Sequence, residues 1–146
     1  MNTVRITKEF RFEGAHSLLN YDGKCKHIHG HSYILYVTVK GKINIDSSSP
    51  KTGMVVDFSD LKSIVNKNIV DIFDHALVLN KKSPITDLIS DNYKNVIVVD
   101  FQPTSENLVC YFANILKEKL PNSIELFSIR LYETASSFVE WFASEN

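Results

Sequence analysis

Four of the five histidines in this chain, His16, His27, His29 and His31, fall within sixteen residues, and Cys25 lies among them. If residues 29–31 are extended, His29 and His31 point to the same side. Gly30 lets the backbone come close between them. His16, on a neighbouring strand, offers a third nitrogen. Three imidazoles around one point would bind zinc and leave its fourth position open, as a catalytic site needs. The plainer alternative is a polar loop of solvated histidines, and the clustering weighs against it. Cys25 has two readings. As a fourth ligand it would make a closed, structural zinc site. As a free side chain beside the metal, helped by Lys24 and Lys26, it would be a thiolate base or nucleophile. Cys110 sits near the apolar stripe of a helix and reads as an inert core thiol.

Three quieter groups follow. Asp74-His75 is either a solvated helix end or a general acid–base histidine tuned by a carboxylate. Glu133 continues the apolar parity of Phe127, Ile129 and Leu131. A carboxylate there needs a partner, either an internal cation or a ligand with adjacent N–H donors. Thr104-Ser105-Glu106 after Pro103 reads first as a helix cap and second as a binding segment.

The elements that must position these residues follow from periodicity. Residues 3–13 alternate, with Val4, Ile6, Phe10 and Phe12 on one parity, and His16 lies on that parity just beyond. Residues 17–30 read as a loop and 31–40 as a second strand. Residues 41–53 are turn-rich and suit a hairpin connection, which Met54-Val55-Val56 would close. From Asp57 or Ser59 the period becomes helical, with Leu61, Ile64, Val65, Ile69, Ile72 and Phe73, ending near Asp74-His75. Residues 80–94 are polar and irregular, and 95–101 read as a short strand. A second helix opens at residues 103–106 and stops at Pro121. Residues 124–132 and 138–142 read as two more strands. This order predicts an α+β fold in one domain over residues 1–146, an antiparallel sheet covered by two helices.

Composition narrows the classes. The 146 residues carry a net charge of −1, with 44% hydrophobic and 23% charged residues. That balance gives no electrostatic case for binding nucleic acid. The longest aliphatic run, Val96-Ile97-Val98-Val99, is far short of the ~20 residues that span a bilayer. The N-terminus lacks the apolar core of a signal peptide, and two cysteines cannot build a multi-bridge secreted framework. A cytoplasmic enzyme or binding domain is expected.

Taken together, Phe12-Glu13-Gly14-Ala15-His16, Cys25-x-x-x-His29-Gly30-His31-x-Tyr33, Asp74-His75, Pro103-Thr104-Ser105-Glu106 and Glu133-Thr134 resemble the 6-pyruvoyl-tetrahydropterin synthase family over nearly the whole chain. The Cys-x-x-x-His-Gly-His spacing looks most like the bacterial 6-carboxytetrahydropterin synthase branch. The resemblance implies the tunnelling fold, a four-stranded antiparallel sheet with two helices on one face. It implies subunits joined edge to edge into trimeric barrels and stacked as a homohexamer. It implies zinc held by His16, His29 and His31, with Cys25 as the proton-abstracting base and Asp74 and His75 as a second proton-transfer pair. Glu133 would anchor the pterin ring, with Thr104, Ser105 and Glu106 lining the pocket. The implied reaction turns 7,8-dihydroneopterin triphosphate into 6-carboxy-5,6,7,8-tetrahydropterin, releasing acetaldehyde and triphosphate, a lyase step toward queuosine. Lys24, Lys26, Arg11 and His27 are the basic candidates for the triphosphate. The alternatives are the 6-pyruvoyl reaction and a non-catalytic, zinc-stabilised binding module. Two departures from the family pattern are His27 inside the metal motif and the length of residues 80–94.

Overall fold

A computed structural model describes residues 2–146. Two fourteen-residue strands form its spine. β1 (Thr3–His16) and β2 (His29–Lys42) pair antiparallel without interruption, from Thr3 opposite Lys42 to His16 opposite His29. The alternation that predicts them follows from the two-residue period of a strand. Even positions of β1 and odd positions of β2 face inward, so Phe10, Phe12, Tyr33, Leu35, Val37 and Val39 are buried. The opposite face is polar. There Thr7 hydrogen-bonds Thr38, Tyr36 donates to Glu9, and Ser32 donates to Glu13.

β5 (Ile124–Thr134) pairs antiparallel with β2, and β6 (Ser137–Phe142) with β5. These are the four antiparallel strands expected from the sequence. The sheet is nevertheless six-stranded and mixed, in the order β4-β3-β1-β2-β5-β6. β3 (Ala76–Asn80) and β4 (Val96–Val99) run parallel to β1 on its free side. The physical cause lies at Asp74-His75. His75 adopts a left-handed φ of 58° and donates its N–H to the Glu13 carbonyl at 2.6 Å, while Asp74 Oδ1 accepts the Glu13 N–H at 2.9 Å. The chain leaving the helix is thereby caught on the edge of β1 and continues as a strand. Between β3 and β4 the segment read as irregular holds a short helix, α3 (Thr86–Asn92). Met54-Val55-Val56 forms no strand. A turn closed by the Asn44 and Gly53 amides stands there instead.

Two helical segments cover the inner face. Asp57 caps α1 (Phe58–Val65) by accepting the Ser59 N–H. α1 runs through a π-turn at Asn66–Val70 into α2 (Asp71–Phe73). The π-turn keeps Leu61, Val65, Ile69 and Phe73 in one buried row. Thr104 caps α4 (Ser105–Lys119), which buries Leu108, Val109, Phe112, Ala113 and Leu116. Phe112 joins the layers, packing edge-on to Phe12 and Phe73. Each fully buried Leu or Phe of this kind stabilises by about 1.5–3 kcal/mol.

A register shift between β2 and β5 moves Phe127 off the row in which the alternation places it. Leu126 and Ile129 face the core, while Phe127 packs on the polar face against Phe142 and under the Arg5 guanidinium. Among the described residues, no helix is long and apolar enough to cross a membrane.

Candidate active site

The inward columns of β1 and β2 end in imidazoles where the helices stop covering them. His16 stands opposite His29, and His31 stands opposite Gly14. The three rings pack edge to face, with centroids 4.6–5.1 Å apart. One ligand atom from each lies within 4.8 Å of the others. Gly30 makes this possible on the ladder, because a Cβ there would come within 3.0 Å of the Gly14 carbonyl oxygen.

The hydrogen bonds decide which nitrogens face inward. His16 Nδ1 lies 2.7 Å from the Pro103 carbonyl, and His29 Nδ1 lies 2.7 Å from the His27 carbonyl. A carbonyl only accepts, so each Nδ1 carries the proton and each Nε2 is left with a lone pair. The two Nε2 atoms face one another at 3.0 Å. Two lone pairs at that distance repel unless a cation lies among them. His31 Nε2 is buried without a hydrogen-bond partner among the described residues. This donor set fits a divalent metal of zinc's kind, with backbone carbonyls orienting two of its ligands. Burial holds His16 and His31 below the ordinary imidazole range. For His16 the Pro103 carbonyl opposes that effect, and for His31 the Glu133 charge does. Both rings are therefore biased toward the neutral form a metal needs.

Beside the triad a groove of about 350 Å³ is lined by His16, Tyr21, Cys25, Thr104, Ser105, Glu106, Glu133 and Phe138, among others. Cys25 reaches it from a single 3-10 turn, Lys24–Lys26, and is a half-buried free thiol, whereas Cys110, expected in the core, is exposed on α4. Glu133 comes from the end of β5. Its Oε2 accepts the Ser105 hydroxyl, and its Oε1 lies 3.7 Å from His31 Nε2. The expected need of this carboxylate for partners is thus met in part, and lone pairs remain for a ligand. Tyr33, buried below, has its hydroxyl pushed well above the ordinary phenol range by burial and then by Glu133.

Asp74 and His75 lie elsewhere. His75 lines a larger groove, about 1070 Å³, with Glu13, Gly30, His31, Tyr93 and others. His75 Nδ1 is 3.1 Å from Asp74 Oδ1. The Glu13 N–H and then His75 hold the Asp74 carboxyl below its usual range. Within one chain the two grooves flank the histidines and share none of their lining residues. His27 is exposed and contributes its carbonyl to the site. Arg11 lies on the polar face, paired with Glu9. The carbonyls of His27 and Pro103 were invisible in the sequence, because every residue carries a carbonyl and only the tertiary fold aims one.

A family model described as 6-pyruvoyl tetrahydropterin synthase matches residues 5–144. The chain belongs to the 6-pyruvoyl tetrahydropterin synthase family. It is 40% identical over 141 residues to the 6-carboxy-5,6,7,8-tetrahydropterin synthase of Haemophilus influenzae, covering 94% of this chain and 97% of that one. The Synechocystis 6-carboxy-5,6,7,8-tetrahydropterin synthase is 32% identical, with 94% and 92% covered. Among solved structures, the Caenorhabditis elegans 6-pyruvoyl tetrahydropterin synthase superposes with a TM-score of 0.71 at 25% identity over 98% of this chain and 97% of that one. The Plasmodium vivax enzyme gives 0.74 at 21% identity over 97% and 98%, a likeness of fold. With this likeness of fold, the chain carries a mixed six-stranded sheet in place of the expected four-stranded antiparallel one.

Proposed function

We propose that this chain is a 6-carboxy-5,6,7,8-tetrahydropterin synthase, a carbon–carbon lyase acting on 7,8-dihydroneopterin triphosphate. The observation that carries the reading is the convergence of three imidazole nitrogens beside a groove holding one free thiol and one carboxylate. The 40% identity to the Haemophilus influenzae enzyme supports the carboxy product over the 6-pyruvoyl one.

His16, His29 and His31 would hold zinc. Bound there, it supplies Lewis acidity toward the hydroxyl oxygens of the substrate side chain. Glu133 accepts two adjacent pterin N–H groups side by side, with Ser105 fixing one carboxylate oxygen. Thr104 and Glu106 line the same wall. Cys25, as thiolate, removes a proton from the substrate side chain. His75, oriented by Asp74 in the groove on the other side of the histidine triad, would move a second proton from that side. Lys24 and Lys26, next to Cys25, meet the triphosphate. One water is taken up to supply the third side-chain oxygen, and the products are the carboxypterin, acetaldehyde and triphosphate.

One sheet runs through the whole chain, which supports reading residues 1–146 as one catalytic domain. Its edge strands β4 and β6 have free backbone groups, and Leu88 and Tyr93 expose apolar side chains beside β4, which supports edge-to-edge assembly into a hexamer. Light scattering that finds a stable, active monomer would contradict the hexamer.

The direct test is to incubate zinc-loaded protein with 7,8-dihydroneopterin triphosphate and identify products by mass spectrometry. Carboxytetrahydropterin with equimolar acetaldehyde is expected. A 6-pyruvoyl product without acetaldehyde would move the chain to the other branch. No turnover, with chelation unfolding the chain, would identify a zinc-stabilised binding module.

A further inference from the structure

Gln102 precedes the proline whose carbonyl orients His16, and lies far in sequence from the loop that carries Cys25. Its side-chain amide grips one residue of that loop, Leu19, through both of its backbone groups. The Leu19 N–H donates to Gln102 Oε1 at 2.9 Å, and Gln102 Nε2 donates to the Leu19 carbonyl at 2.9 Å. Only an amide side chain offers a neutral donor and acceptor side by side, so it can imitate one rung of a β-ladder. The anchor is itself held. The Gln102 carbonyl accepts from the Thr104 N–H at 2.8 Å and from Asn107 Nδ2 at 2.9 Å, which ties it to the start of α4.

At the other end the loop is closed on itself. Leu18 N–H donates to the Cys25 carbonyl at 3.0 Å, and the Ser17 hydroxyl donates to the Lys26 carbonyl at 2.8 Å. The residue gripped by Gln102 therefore adjoins the residue that holds the Cys25 backbone. Among the described residues, the two Leu19–Gln102 contacts are the hydrogen bonds that tie residues 17–28 to anything outside the β1–β2 hairpin.

We propose that Gln102 is a positioning residue for proton abstraction: its clamp on Leu19 sets Cys25 over the groove beside His16. With Pro103 fixing the His16 ring, one dipeptide aligns the thiol and a metal ligand to each other. The inference rests on Cys25 acting as the base. A misplaced reacting group of about 1 Å costs on the order of 100-fold in rate, so the clamp has kinetic weight without touching substrate.

The test uses the full zinc-loaded chain with Cys110→Ser, so that Cys25 is the single thiol. Gln102→Ala removes both contacts. Gln102→Glu keeps the acceptor for the Leu19 N–H and sets an oxygen against the Leu19 carbonyl. Expected for Gln102→Ala are unchanged zinc per chain, a kcat lowered roughly ten-fold or more with little change in KM, and an iodoacetamide alkylation rate at Cys25 shifted several-fold at fixed pH. Gln102→Glu should fall in the same direction. Alkylation and kcat that both stay at the parent's values would overturn the proposal. So would loss of zinc and of the melting transition in both variants, which marks a purely structural tie. Alkylation needs no substrate, so it reads the clamp even if the parent fails to turn over the pterin, a failure that belongs to the proposed reaction.

Discussion

His16 and His29 face each other across the β1–β2 ladder with their Nε2 atoms 3.0 Å apart, each ring turned by a backbone carbonyl on its far side. Both carbonyls force the proton onto Nδ1, so the inner nitrogens are bare ligands rather than a hydrogen-bonded pair. The arrangement is built for a cation, and His31 Nε2 completes it without competition from a protein donor.

Replacing one of these ligands should therefore empty the site. His29→Ala should weaken zinc by more than roughly 100-fold, beyond the 10–100-fold typical of losing an outer partner, and abolish turnover. Zinc content by plasma mass spectrometry decides it. A variant that keeps its metal would remove His29 from the ligand set.

Cys25 lines the groove but is absent from the cluster of converging ligand atoms. Cys25→Ala should keep stoichiometric zinc and lose the normal conversion. Loss of zinc together with activity would instead favour a closed Cys-His₃ centre.

Glu133 presents two acceptor oxygens, one already taking the Ser105 hydroxyl. In Glu133→Gln a donor faces the pterin N–H groups, so binding should weaken by about 2–3 kcal/mol. Calorimetry with a non-reacting pterin measures this, while zinc content should stay unchanged. Parent-like affinity would leave Glu133 as a structural charge.

The buried histidines also set a pH dependence in the metal-free protein. Burial lowers His16 and His31 in the folded state from a reference of 6.5. As pH falls below that value the unfolded chain binds protons that the folded rings refuse. Stability then rises with pH and is lost on acidification through this window. The urea midpoint in chelator should drop between pH 7 and pH 5.5, and His16→Ala should flatten the drop. A midpoint that rises on acidification would contradict the burial argument.

Alternation alone placed His16 on the inward parity of β1 and made His29 and His31 share a side of β2, because side-chain direction in a strand without a bulge follows the residue count. The helical stripes, apart from Ile72, which is exposed, were legible for the same reason, as were Thr104 and, beside Ser59, Asp57 as caps, since their partners lie within a turn or a few. The tertiary fold decided whatever depends on distant partners. The register that sets His16 opposite His29 is a choice among many that the pattern allows. The left-handed His75 that feeds β3 into the edge of β1 has meaning only once Glu13 is beside it. Register shifts along β5 displaced Phe127 from the row read for it, and a single inserted residue does this without disturbing composition or periodicity nearby. Gln102 and the carbonyls of His27 and Pro103 stayed silent for the deepest reason: any amide and any carbonyl can make such bonds, and only packing brings Leu19, His29 and His16 within their reach.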